Sequence, residues 1–196
     1  MTLVHAAVEK ISLWLARLGG LLLVLASFVI TFEILVRKLF LLPFSVGTEL
    51  STYALAISGS WSFSYALLNR AHVRIDFLRN LGTPTIRTIL DVLALLVLGA
   101  VALILARYCW DTVEASWSLG ARENTSLGTP LIIPQGLWFF GLVWFALVCV
   151  EQIVLVLVAL VRRDLAAVAA VTAPPNVDEE IDEALEAVEV HQIQVR

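Results

Sequence analysis

Charge is what this sequence has least of. Only 15% of its 196 residues are Asp, Glu, Lys or Arg, 60% are hydrophobic, and mean hydropathy is +0.90. Globular domains carry about 25% charged and about 45–50% apolar residues, so this balance points to a membrane protein. Cysteine is nearly absent. Cys109 and Cys149 lie in separate apolar runs, with no CxxC and no His/Cys cluster. That excludes a redox framework and a zinc site, and leaves two small packing residues. Histidine is as sparse: beside His5 and His191 there is only His72, and no second histidine lies within another apolar run. His72 therefore reads as a surface or hydrogen-bonded side chain, without a partner for a haem or a metal. Walker, HExxH and GxSxG motifs are missing, and no paired carboxylates stand near a His or Lys. No catalytic residue, cofactor or metal is expected. The net charge of -4, with most of the net negative charge in the last twenty residues, speaks against a nucleic-acid partner.

Long apolar runs fill the space that charge leaves. Four helices are expected to cross the bilayer: roughly Leu18–Val36, Glu49–Leu68, Ile89–Tyr108 and Gly136–Val161. For the first, Leu, Ile, Phe and Val contribute on the order of -6 kcal/mol to insertion, against at most about +3 for Glu33. It exceeds a signal h-region and lacks an A-x-A site before Arg37, so it is expected to be an uncleaved anchor. Residues 2–17 fit either an amphipathic lead-in on the bilayer surface or a plain extension of that helix. Residues 69–87 hold Arg70, Arg74, Arg79 and Arg87 against Asp76, and suggest an interfacial amphipathic turn ended by Gly82 and Pro84. Residues 111–133 read as a structured surface connection. After Arg163 the stretch AAVAAVTAPPN reads as a linker, and the acids beyond it as a flexible tail. The expected division is a four-helix membrane domain over 1–163 and an acidic cytoplasmic tail over 164–196.

Ionisable groups near hydrocarbon are rare and usually face protein or water. Glu33 stands four residues before Arg37, the better orientation for a helical ion pair. Glu49 at the start of the second helix suits the dipole, and a pair with Arg37 or Lys38 suits it as well. Ser58, Gly59 and Ser62 belong to a run of small residues that lets helices approach closely. Glu151 lies about ten residues, or about 15 Å of helix, before Arg162, near the membrane midplane. It reads as a carboxyl hydrogen-bonded against other helices; a proton relay needs further groups at that depth.

One stretch, from Glu33 to Leu78, carries a resemblance. An Arg after the first helix, a Pro-containing turn, a Glu opening the second helix and then H-V-x-I-D-F-L follow in order. The positions are Arg37, Phe40, Pro43, Glu49, Leu50, Arg70, His72, Val73, Ile75, Asp76, Phe77 and Leu78. With the helix count and chain length, this resembles the small membrane subunit of tripartite ATP-independent periplasmic (TRAP) transporters, the DctQ-like family. Many members have a Trp shortly before the Glu, where this chain has Phe44-Ser45-Val46-Gly47. The resemblance implies a bacterial inner-membrane protein without enzymatic activity. Its implied partners are a large permease subunit with the substrate and sodium sites, a periplasmic substrate-binding protein and membrane lipid. The small subunit then supports the permease in sodium-driven uptake of an organic acid. Arg37, Glu49, Ser58, Gly59, Ser62, Arg70, His72 and Asp76 are the expected interface or structural residues.

With the N-terminus inside, Lys10, Arg17, Arg70, Arg74, Arg79, Arg87, Arg162 and Arg163 fall on the cytoplasmic side. Arg37, Lys38, Arg107 and Arg122 fall outside. This asymmetry supports cytoplasmic termini. Two other classes remain open at this point: a membrane anchor for a redox enzyme, and an independent small transporter or channel. The first would need axial ligands. The second often shows internal repeats and broken helices, which four mostly unbroken helices leave little room for.

Overall fold

The computed structural model describes residues 3–40, 46–71, 83–125 and 127–172. Among them run four long helices, α1 (Leu3–Phe40), α2 (Val46–Leu68), α3 (Pro84–Leu119) and α4 (Ile132–Val161), then the short α5 (Leu165–Thr172). Three stretches are long and apolar enough to cross a membrane: Val4–Leu39, Thr85–Leu119 and Ile132–Val161. The chain is therefore an all-α bundle with three long apolar spans. α2 has 23 residues, enough to span, but its Ser and Thr side chains lower its hydropathy.

α1 is one continuous helix, so residues 3–17 extend the first span. Its 38 residues measure about 57 Å, well beyond a hydrocarbon core of about 30 Å. α1 and α2 form an antiparallel hairpin. The Gly47 amide meets Glu33 at one level, and Gly19 faces Ser58 about three to four turns further along. Close approach is the reason for glycine there: a Cβ on Gly19 would lie 3.0 Å from the Ser58 Cα.

α4 is the centre of the bundle, with 44% of its apolar stretch buried against 11% for α1. It runs in the same direction as α2. Trp61 Nε1 donates to the Leu137 carbonyl at 3.0 Å, Ser60 packs on Gly141, and the Phe63 and Phe145 rings meet at 5.5 Å. α3 lies antiparallel on the other side, with Gly99 against Ile153 and Cys149 and Trp110 against Phe139. Leu95, Ala102, Phe145, Val148, Cys149 and Val156 share the main core.

Three sequence expectations change here. α3 continues eleven residues past Tyr108, because its buried stripe continues through Cys109 and Val113 to Ser116. Cys109 and Val113 pack with Leu142, while Asp111 and Glu114 stay on the exposed face. Only residues 120–131 connect α3 to α4, entered through Gly120 at φ 57°. The amides of Gly120 and Ala121 return to the carbonyls of Trp117 and Ser116, a Schellman stop. α3 also starts five residues before Ile89, with Pro84 in its first turn, where its missing N–H costs nothing; the expected interfacial turn ahead of it falls largely on 72–82, outside the described residues. Residues 165–172, expected as linker, are helical, and Val168 and Thr172 are buried. Asp164 caps this helix by accepting from the Ala167 amide at 2.9 Å.

Candidate functional site

The polar groups that hydrocarbon makes expensive collect at three places. The first is the mouth of the α1–α2 hairpin. Glu33 accepts a hydrogen bond from the Gly47 amide, one of the N–H groups that the first turn of a helix leaves without a backbone partner. The carboxylate thus caps α2 from the neighbouring helix, with the favourable sign for the dipole. The spacing had suggested a local pair with Arg37. In the structure Glu33 is engaged across the hairpin, and Arg37 and Lys38 are exposed.

Beside it lies Glu49, buried to 6% exposure. Tyr53 donates its hydroxyl to Oε1 at 2.9 Å, and Thr125 donates to Oε2. Thr125 belongs to the α3–α4 connection, so one carboxylate ties the start of α2 to that loop. Thr48, Glu49, Thr52, Tyr53, Glu123 and Thr125 line a cleft of about 190 Å³. Neither Arg37 nor Lys38 takes the part the sequence allowed them at Glu49. Hydroxyl groups take it, and hydroxyls have no charge signal in a sequence to give them away.

The second place is the buried face of α2. Ser58 is 2% exposed and abuts Gly19, with its hydroxyl donating to the Leu55 carbonyl at 3.2 Å. Ser60 is 1% exposed and abuts Gly141. Ser62 is half-buried and donates to the Ser58 carbonyl at 2.8 Å. A Cβ on Gly59 would meet nothing within 4 Å. The small residues of α2 therefore divide between a side packed within the chain and a notch at Gly59.

The third place joins α1 to α4. His5 Nδ1 is 2.9 Å from Glu151 Oε1, Gln152 donates to Glu151 Oε2 at 2.6 Å, and Trp144 Nε1 donates to Ser12 Oγ at 3.1 Å. Sequence reading found no group at the depth of Glu151; His5 is that group. The imidazole was missed because it sits in a segment whose place relative to the bilayer was open.

Arg70 closes α2 in the left-handed conformation, φ 55°. The Arg70 and Ala71 amides return to the Leu67 and Ala66 carbonyls. Arg163 does the same for α4 at φ 56°, with the Arg163 and Asp164 amides on Leu160 and Ala159. A cation at a helix C-terminus suits both the dipole and the last carbonyls. His72, Asp76 and the rest of the H-V-x-I-D-F-L motif lie outside the described residues. Among the described residues, no group of three or more His, Cys, Asp or Glu is arranged to hold a metal ion.

Long apolar helices joined by polar contacts between them define a multi-span helical membrane protein. The family model for "Tripartite ATP-independent periplasmic transporters, DctQ component" matches residues 26–159, more than half of the chain. The chain belongs to that family and is the small permease subunit of a TRAP transporter. No curated protein and no solved structure matches it.

Proposed function

We propose that the chain crosses the bacterial inner membrane four times, with both termini cytoplasmic. In that position it braces the large permease subunit during sodium-driven uptake of an organic acid delivered by the periplasmic binding protein. The fourth crossing is α2. It runs beside α1 and α4, two apolar spans, over its length, and it is long enough to share their slab. The hydroxyls of Ser58, Ser60 and Ser62 are compatible with hydrocarbon because each donates to a carbonyl of its own helix.

One observation carries the bracing role. The carboxylates of Glu33, Glu49 and Glu151 are answered inside the chain, by Gly47, Tyr53, Thr125 and His5, while α1 and α3 turn many large apolar side chains outward. Such a bundle is a solid body suited to stiffen a moving neighbour. Ser58 and Glu49 then have structural roles within the chain. Arg37, Gly59, Ser62, Arg70, His72 and Asp76 are the residues assigned to the permease-facing side. Uptake measured in proteoliposomes tests this. Transport should require the permease, the binding protein, this chain and an inward sodium gradient. Full uptake with this chain omitted, or flux through this chain alone, overturns it.

A further inference from the structure

Stepping alternately three and four residues along α1 from Val4 leads through Ile11, Trp14 and Leu18 to Phe32 and Leu39 without meeting a polar side chain. Every polar residue of the helix, from His5 to Lys38, falls off this seam. Every position on it is exposed, Phe28 and Phe32 to 69% each. The stripe that α1 packs into its own bundle is a different one, through Ser12, Leu15, Gly19 and Ala26.

The period separates two coverings. Lipid imposes no register, and a straight stripe on an α-helix follows 3.6 residues per turn. A strict 3.5-residue repeat drifts about 20° per heptad against that, or about 100° over the five heptads of α1. Only a partner that winds left-handedly around the helix stays on such a seam, and left-handed crossings near 20° are the common geometry of membrane bundles.

The flanks identify the kind of helix. One flank carries Lys10, Arg17 and Lys38; the other is aliphatic from Val8 to Val36. Neither flank holds an acid, so the α1 of a second copy brings no counter-charge in either orientation. We propose that the α1 seam is the docking face for a helix of the large permease subunit, an apolar helix with acidic or carbonyl acceptors opposite Lys10 and Arg17. This rests on the bracing role above.

The test uses the assembled transporter in native membranes. Photoreactive benzoylphenylalanine replaces Phe28, Phe32 or Leu35 on the seam, or Leu23 or Ile34 off it, one position at a time. All five sites are exposed. Irradiation should join the permease subunit to this chain from the three seam positions and not from the two controls. In parallel, the K10E/R17E double variant should lose co-purifying permease while still inserting. Equal adducts at seam and control positions overturn the inference, and so do adducts with a second copy of this chain. Lipid adducts alone, with permease still co-purifying, overturn the seam and leave the bracing role standing. Failure of the unsubstituted chain to co-purify with permease defeats both.

Discussion

His5 and Glu151 are hydrogen-bonded at 2.9 Å, Nδ1 to Oε1, although 146 residues separate them. Glu9 also reaches the imidazole, at 3.5 Å from Nε2. The contact pins the first turns of α1 to α4. The Ser12–Trp144 hydrogen bond joins the same two helices about two turns further along α1. A double-mutant cycle with His5→Ala and Glu151→Gln, read by unfolding in mixed micelles, should give a coupling of about 0.6–1.7 kcal/mol, the range of polar contacts between membrane helices. Strictly additive effects would show that the contact does not hold α1.

Glu49 should act on the α3–α4 connection more than on its own helix. Replacing Glu49 by Ala leaves Thr125 and Tyr53 without their acceptor. Limited proteolysis within 120–131 should accelerate, while membrane insertion and the helical content stay unchanged. Thr125→Val should reproduce part of the effect. Loss of insertion in Glu49→Ala, with the loop no more sensitive than before, would assign the carboxylate to helix formation instead.

Glycines with and without neighbours should respond in opposite ways. A Cβ on Gly141 would lie 2.6 Å from Trp61 Cδ1 and closer still to Ser60. Gly141→Val should therefore destabilise the α2–α4 contact by roughly 1–3 kcal/mol, as overpacked cores do. A Cβ on Gly20 or Gly59 meets nothing within 4 Å, and Ala is a better helix former than Gly by about 1 kcal/mol. Gly20→Ala and Gly59→Ala should be neutral or stabilising in thermal unfolding of the isolated chain. Destabilisation by either would place a neighbour where the structure has open space.

The long helices were legible because apolar runs and their period survive without tertiary information. Their ends were less so. The last eleven residues of α3 look like a connection by charge, since Asp111 and Glu114 interrupt the run. Burial of Cys109, Val113 and Ser116 on one face decides the matter, and that face exists only once α4 is in place. The partners of Glu33 and Glu49 were illegible for a related reason. A backbone amide at Gly47 and a hydroxyl at Thr125 have no charge pattern to search for. The resemblance over Glu33–Leu78 supplied the family, while Ser58, chosen for close approach, meets Gly19 of its own chain.

Topology separates four crossings from three. In a background lacking Cys109 and Cys149, single cysteines at Asn80 and Ser126 should label from opposite sides. An impermeant maleimide added to spheroplasts should reach position 126 and spare position 80. Labelling at position 80 would remove α2 from the membrane-crossing set.

The C-terminal truncations should part company at α5. Residues 165–172 read as linker because an alanine run stands beside Pro174 and Pro175, yet alanine is also the best helix former. Val168 is 0% exposed and packs with the main core, and Thr172, 1% exposed, donates to the Val168 carbonyl at 2.9 Å. A chain ending at Ala173 keeps this helix and loses only the acidic stretch. It should insert, assemble and support uptake like the full chain. A chain ending at Arg163 uncovers the core surface that Val168 seals, a side chain worth about 1.5–3 kcal/mol when fully buried. It should unfold at a measurably lower temperature in detergent. Equal unfolding temperatures for the two truncations would show that α5 does not hold the bundle, and loss of the assembled complex at the Ala173 truncation would give the acidic stretch a role of its own.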